Sequence, residues 1–205
     1  MYNHQLSRHT QYTIGVDSTS LNTVYASQQN PMACWAASHS NFLRLKGLNV
    51  DQSVFINDHC GVNWLGLPKH CGASTDHISV LLNGCSRDNW GRQYCVTASQ
   101  RTKQELNGYE IFNKLRAGKP FIIAYWEHGA EIGHVILLTG ATILFDRYTG
   151  ETGIQDFIIR DPANTDENKR LKGRYSVNAA DFLTKVRAWW SPEVYHKSWN
   201  YWIAA

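Results

Sequence analysis

Apolar residues recur at helical spacing from residue 34 onward, directly after a turn signal. The positions that share one face of the predicted helix are Trp35, Ala36, Phe42 and Leu43. Asn30 can cap this helix, and Pro31 suits its first turn, where no backbone N–H is needed. Gly47 is a natural stop. The pattern therefore predicts a helix that carries Cys34 in its first turn.

Shorter periodic segments follow this helix, and their period changes along the chain. Helical spacing with caps at Ser74 and Asn107 predicts helices over 50–58, 74–84, 107–115 and 179–190. Apolar runs predict strands over 92–98, 121–127, 134–145, 154–161 and 174–177. Helices thus dominate the first half and strands the second. We predict an α+β fold in one domain, 1–205, with a helical lobe at about 25–90 and a sheet lobe at about 91–205.

Composition places the chain among globular proteins. It has 205 residues, of which 43% are hydrophobic and 18% charged, so it can bury a sizeable core and is too apolar for disorder. The net charge of +3 comes without a dense Lys/Arg block, so we expect no nucleic-acid partner. No apolar run approaches the ~18 residues of a membrane span, so we expect no membrane partner. We expect a monomer.

Five cysteines divide into one in the predicted helix and four in the middle of the chain, Cys60, Cys71, Cys85 and Cys95. The simplest pairing of these four is Cys60–Cys71 with Cys85–Cys95, one of three connectivities. Disulfides would imply a secreted or periplasmic protein whose signal peptide was removed, because the first residues do not resemble one. Free thiols are an alternative. A zinc site is another, since His59 and His70 precede cysteines, although zinc ligands prefer intervals of about two to four residues.

Cys34 is the leading candidate for a nucleophile. A thiol in the first turn of a helix feels the positive end of the dipole, which favours the reactive thiolate. If the other four cysteines pair, Cys34 is also the thiol left over. Gln28, upstream of the same helix, can supply an amide donor to an oxyanion hole beside the N–H of Cys34. The alternative is a small core cysteine and a solvated loop glutamine.

His134 and Asp161 are candidates to act with this thiol. His134 opens an apolar strand, so it lies at a rim where it can serve as a base or as an ion-pair partner. Asp161 ends the next strand, and antiparallel pairing would bring it beside His134 to orient the imidazole. Asn164 is the fallback for that third role. Each could instead be an ordinary strand-end or turn residue. A hairpin over 145–153 accounts for the long interval between the two strands.

These motifs resemble those of the papain-like cysteine peptidases. The resemblance rests on Gln28, on Cys-Trp at 34–35, on Gly-His at 133–134 and on Asp-Pro at 161–162. It is closest to bacterial members, which include secreted effector-type peptidases and the leader-peptide peptidase domains of bacteriocin exporters. It implies a papain-like fold, in which a helical N-terminal lobe carrying the nucleophile helix packs on a C-terminal antiparallel sheet lobe.

The resemblance also implies a role for each candidate residue. Cys34 would be the nucleophile, His134 the base and acid, Asp161 the orienting residue and Gln28 the oxyanion donor. Trp35 would pack beneath the nucleophile helix. The substrate would be a protein or peptide, and neither a cofactor nor a metal would be needed.

The predicted function is therefore peptide-bond hydrolysis through a thioester acyl-enzyme. Other acyl-transfer enzymes use the same residue types, so a cell-wall peptide amidase, a deamidase, a transglutaminase or an acetyltransferase is an alternative. A non-enzymatic alternative is a disulfide-stapled module whose aromatic tail, 189–202, binds glycans or a partner protein. We prefer to interpret that tail as a strand that seals the core, because its side chains bury much area.

Overall fold

The computed structural model of the protein describes residues 8–61, 63–65, 69, 71–105, 107–126, 133–163 and 165–196. Its helices are α1 (Ser18–Val24), α2 (Cys34–Leu45), α3 (Gln52–Cys60), α4 (Thr75–Leu81), α5 (Gly108–Arg116), α6 (Asp166–Leu171) and α7 (Ala179–Lys185). Its strands are β1 (His9–Gly15), β2 (Gly84–Arg87), β3 (Gln93–Thr97), β4 (Gln100–Thr102), β5 (Phe121–Tyr125), β6 (His134–Asp146), β7 (Thr152–Arg160), β8 (Arg174–Asn178), β9 (Val186–Trp190) and β10 (Glu193–His196). The α+β class is confirmed.

A long strand, β6, forms the centre of the main sheet. The strands lie in the order β4-β9-β5-β6-β7-β8, and every neighbouring pair is antiparallel. The first part of β6 borders β5, and its second part borders β1. The strand is mostly apolar, as expected where both faces of a sheet are covered. Its first residue, His134, consequently lies at one end of the sheet.

Helices cover both faces of this sheet. Alternate residues of β5 show the two sides, because Ile122 joins the core that includes α2 and α3, whereas Ile123 joins the core that includes α5 and α7. This alternation follows from the period of two along a strand. The first core contains the most buried helix, α2, whose residues from Cys34 to Leu43 are all buried.

Two disulfides tie down the middle of the chain. Cys60–Cys71 joins the end of α3 to the segment that precedes α4. Cys85–Cys95 links directly opposed residues of β2 and β3 in a smaller sheet of order β10-β3-β2. The predicted pairing is confirmed, and the alternatives of free thiols and of a zinc site on these cysteines are wrong.

The predicted helix over 179–190 is wrong in its second half. Helix α7 ends at Lys185, and Val186–Trp190 is the strand β9, which lies between β4 and β5. Its consecutive alanine and tryptophans fit a strand with both faces covered, since Ala188, Trp189 and Trp190 are all buried. Tertiary pairing therefore decides the conformation of a segment that a helical pattern could also describe.

Helix starts are predicted correctly where a side chain caps the backbone a few residues further along the chain. The Ser74 hydroxyl caps α4 and the Asn107 carbonyl caps α5, as predicted. In contrast, Asn30 does not cap α2. The cap position is Ala33, and Asn30 instead forms the turn before it, where its Oδ1 accepts from Met32 N–H at 3.0 Å. The sequence pattern predicts neither strands β1, β2 and β4 nor helices α1 and α6.

None of the helices in the described ranges is long and apolar enough to cross a membrane. The structure describes only the first part of the aromatic tail, residues 189–196. Residues 193–196 form β10, which pairs with β3, and residues 197–202 lie outside the described residues.

Candidate active site

Cys34 is the first residue of α2, so its thiol lies at the positive end of the helix dipole. The turn from Asn30 to Ala33 leads into the helix, and Ala33 provides no side-chain cap. The thiol is unpaired, and the residue is only 7% exposed. A helix N-terminus stabilises negative charge through its free N–H groups and its dipole. The position therefore suits a group that carries or develops negative charge.

A side-chain hydrogen bond fixes α2 against the start of β6. Ser38 lies one helical turn after Cys34, and its hydroxyl donates to the Val135 carbonyl at 3.0 Å. Val135 immediately follows His134. Because both residues of this bond are buried, the bond is shielded from water and holds the helix in register with the strand. The nucleophile candidate and the base candidate are thus brought together by neighbouring residues.

His134 lies between an aspartate and the thiol. Its Nε2 is 2.7 Å from Oδ1 of Asp161, and the side chains of the two residues are 25% and 20% exposed. The thiol of Cys34 lies near enough to the imidazole to raise its pKa. Since Nε2 faces the aspartate, Nδ1 is the ring nitrogen left for the sulfur. The edge of the Tyr125 ring, with centroids 5.7 Å apart, packs against the imidazole.

The charges in this group shift the titration of the histidine. Burial lowers the pKa of His134, but the hydrogen bonds and charges of Asp161 and Cys34 outweigh burial and raise the pKa to about 10. The imidazole is therefore protonated at neutral pH when the sulfur is charged. An imidazolium beside a thiolate is the reactive pair of a thiol acyl-transfer enzyme.

Asp161 is held as a carboxylate by several donors. Burial raises its pKa, but His134, the Ala163 N–H and the Asn168 side chain together lower it below its usual range. The Ala163 N–H donates to Oδ1 at 2.8 Å, and the Tyr25 hydroxyl donates to the Asp161 carbonyl at 2.8 Å. The fallback residue, Asn164, lies outside the described residues.

Gln28 is buried beside the segment that follows Asp161. Its backbone N–H donates to the Pro162 carbonyl at 2.7 Å, so the strand end that carries the aspartate also positions the glutamine. The residue is 8% exposed, which excludes the alternative of a solvated loop glutamine. Its side-chain Oε1 is buried and finds no donor among the described residues.

Three further residues lie around the site. Only Trp126 could be suspected from the sequence, because it begins the loop that leads to His134. Asn168 of α6 is buried, and its side chain interacts with Asp161. Gly173 connects the two residues through the backbone, because its N–H donates to the Asn168 carbonyl and its carbonyl accepts from the Asp161 N–H. The hydroxyl of Tyr175 in turn contacts Asn168. Trp126 packs on Gly133, the residue before His134, where an added Cβ would lie 3.0 Å from the indole. A larger residue at 133 would therefore press on the Trp126 indole, which would have to shift by a few tenths of an ångström.

The buried side chain of Trp35 fixes the start of α2 against the segment at Cys71. It is 2% exposed, and its indole N–H donates to the Cys71 carbonyl at 3.3 Å. The rings of His59 and His77 meet it edge-on. The backbone of Cys71, a disulfide cysteine, therefore contacts a residue of α2. No group of three or more potential metal ligands occurs within the described part of the chain.

A free thiol at a helix N-terminus, an imidazole and a carboxylate, placed where a buried helix meets the end of an antiparallel sheet, define the class of papain-like cysteine peptidases. The family comparison agrees with this class. Residues 20–190 match the Peptidase_C39 like family, and the chain belongs to that family. It is a cysteine protease, a hydrolase, and the alternative of a non-enzymatic binding module is set aside.

The solved structures similar to the chain include a double glycine motif protease from an AMS/PCAT transporter, crystallised in complex with the leader peptide. The sequences are 18% identical, the TM-score is 0.46, and the match covers 85% of this chain and 91% of that chain. No protein of curated function matches the chain.

Proposed function

We propose that the protein cleaves peptide bonds with Cys34 as nucleophile, His134 as base and acid, and Asp161 as the orienting residue. The observation that carries this proposal is the position of the His134 imidazole. It lies between the thiol at the start of α2 and the Asp161 carboxylate, which is 2.7 Å from Nε2. The pairing of Nε2 with Asp161 supports the tautomer in which Nδ1 exchanges the proton with sulfur.

The first half of the reaction forms a thioester. The Cys34 thiolate attacks the carbonyl carbon of the scissile amide and forms the C–S bond, while the carbonyl oxygen takes the negative charge. The N–H of Cys34 and the side-chain amide of Gln28 donate to that oxygen. The C–N bond then breaks, and the imidazolium of His134 gives its proton to the leaving amine.

The second half releases the acid. Neutral His134 takes a proton from water, and the hydroxide equivalent attacks the thioester carbonyl at the same oxyanion hole. The C–S bond breaks, and the thiolate is regenerated beside the protonated imidazole. One water is consumed for each peptide bond cleaved, and no cofactor or metal takes part.

A single chain supplies all four proposed residues, which supports action as a monomer. The two disulfides support folding in an oxidising compartment, so we propose that the protein is secreted or periplasmic. Light scattering of the purified protein tests the first statement. Fractionation of cells that express the full-length protein tests the second.

The test of the proposed function separates peptide hydrolysis from the other reactions open to the same residues. The protein is incubated with a defined peptide pool, with glutamine peptides plus an amine, and with purified peptidoglycan, and the products are analysed by mass spectrometry. We expect new peptide termini in the pool and none with Cys34→Ala. Deamidated, amine-linked or stem-peptide products without cleavage of the pool would contradict a peptidase.

A further inference from the structure

The segment that carries Gln28, residues 25–33, has no helix or strand, and buried side-chain amides satisfy its backbone. Asn41 of α2 contacts both backbone groups of Ala26, since its Oδ1 accepts from the N–H at 2.8 Å and its Nδ2 donates to the carbonyl at 2.9 Å. A buried backbone group must find such a partner when no strand is beside it. The segment is thus held by neighbouring helices.

A second amide, Gln52, spans Gln28. Its Nε2 donates to the Ser27 carbonyl at 2.8 Å, and its Oε1 accepts from the Gln29 N–H at 2.9 Å. Gln52 is the first residue of α3 and is 3% exposed. One buried side chain therefore fixes the backbone on both sides of Gln28, and the Gln28 N–H itself is fixed by Pro162.

The side chain of Gln28 has no comparable anchor within the part of the chain that the structure describes. Its Oε1 finds no hydrogen-bond donor among the described residues, although it is buried. The place of the amide group therefore depends on the backbone from which the side chain projects. The contacts that fix the backbone around Gln28 therefore determine the direction of its side-chain N–H groups.

We propose that Gln52 is a positioning residue that holds Gln28 in place as the oxyanion donor. This inference rests on the proposed function, which gives Gln28 that role. Removal of Gln52 frees the Ser27 carbonyl and the Gln29 N–H, so the backbone between them can shift. A displacement of about 1 Å in a catalytic group can cost about 10²-fold in rate.

The first test measures kcat and KM of Gln52→Ala on a cleaved peptide. We expect kcat to fall about 10-fold or more with little change in KM, because the oxyanion exists only in the transition state. The rate of Cys34 alkylation by iodoacetamide should match that of the wild type. That reaction displaces iodide at a methylene carbon and forms no oxyanion. Slowed alkylation would overturn the inference, since it would show general damage to the site.

The second test asks whether Gln52 acts through Gln28. In the Gln28→Ala background, Gln52→Ala should lower kcat/KM by no more than about twofold, because the donor that it positions is already gone. Losses that multiply in the double variant would overturn the inference.

Asn83, which lies at the surface, offers a control for the loss of a side-chain amide that bonds to backbone away from the candidate site. Its side chain contacts both backbone groups of Ala98, with Nδ2 2.6 Å from the carbonyl and Oδ1 3.0 Å from the N–H. We expect Asn83→Ala to keep wild-type kcat/KM. An equal loss of activity in this variant and in Gln52→Ala would contradict a specific role for Gln52.

Gln52→Glu keeps the inference testable if Gln52→Ala does not fold. The glutamate retains an acceptor for the Gln29 N–H, but it can donate to the Ser27 carbonyl only when protonated. We therefore expect its kcat, relative to the wild type, to rise as the pH falls from about 8 toward the usual glutamate range. A ratio independent of pH would contradict the inference.

Failure of the proposed function gives a different pattern. If Gln28→Ala keeps the wild-type rate, Gln28 is not the oxyanion donor and the proposed function fails in that part. If Gln28→Ala is slow but Gln52→Ala behaves like Asn83→Ala, only the role of Gln52 is wrong.

Discussion

The two ends of β6 carry ion pairs of similar length but different surroundings. At the first residue, His134 meets Asp161 at 2.7 Å, and at the last residue Asp146 meets Arg8 at 2.7 Å. Both carboxylates have lowered pKa values, that of Asp146 falling to about 2 mainly through its hydrogen bond with Arg8. The partner of Asp146, however, is 59% exposed. The comparison shows that a short ion pair alone does not mark a site.

Asp146 also has a third group beside it, since Nε2 of His9 lies 3.6 Å from its Oδ2. What distinguishes the first end is that its third group is a nucleophile candidate. The thiol of Cys34 and the dipole of α2 are present beside His134, whereas the end at Asp146 holds a hairpin turn. There, Asp146 Oδ1 accepts from the N–H groups of Tyr148 and Thr149 at 2.8 and 3.2 Å. One end is thus organised around a side chain that can react, and the other around a turn of the backbone.

The largest difference between the two ends should appear when the imidazole is removed. We expect His134→Ala to lower kcat/KM about 10³-fold or more, because both the base and the partner of the thiolate are lost. Thermal unfolding should change little, since the residue is partly exposed at a strand end. Steady-state kinetics and circular dichroism check the two statements. A variant with near wild-type activity would remove the reason to distinguish this end.

Removal of the oxyanion donor should have the next largest effect. We expect Gln28→Ala to lower kcat about 10²-fold, in line with the loss of one donor to the developing oxyanion. Kinetics on a cleaved peptide measures the loss, and the iodoacetamide rate of Cys34 serves as the control for an intact thiolate. An unchanged kcat would assign the donor elsewhere.

Neutralising Asp161 should change the pH dependence as well as the rate. The carboxylate raises the pKa of His134 to about 10 together with Cys34, so Asp161→Asn should lower that pKa. In a plot of kcat/KM against pH, the fall at high pH reports the deprotonation of His134 in the free enzyme, so this fall should move to lower pH. At neutral pH, kcat/KM should be about 10-fold lower than in the wild type. If the fall at high pH stays in place while the rate decreases, the carboxylate does not act on the imidazole.

The same change at the other end should affect stability and not catalysis. Because the folded-state pKa of Asp146 is lowered to about 2, its stabilising effect is present above the unfolded value of 3.8 and is lost as the pH falls toward 2. Asp146→Asn should therefore lower the melting temperature at neutral pH, and the difference should vanish at acid pH. Wild-type kcat/KM is expected, and a large loss would show that the two ends are coupled.

The sequence could predict the parts of the molecule that depend on local chemistry. The turn and dipole at Cys34 and the strand positions of His134 and Asp161 follow from neighbouring residues, and the disulfides follow from cysteines close in sequence. Strand β9 could not be predicted, because its conformation depends on pairing with β4 and β5. Gln52 could not be predicted either, since its contacts with the backbone around Gln28 exist only after α3 packs beside that segment.

The central claim is that the sulfur of Cys34 and the imidazole of His134 form a charged pair, and alkylation measures it directly. The iodoacetamide rate is followed against pH, from mildly acid to mildly alkaline, for the wild type and for His134→Ala. We predict a fast wild-type rate that persists at mildly acid pH, and a variant rate that rises only toward the ordinary thiol pKa of about 8.5. Two identical profiles, both rising only in alkaline solution, would contradict the account.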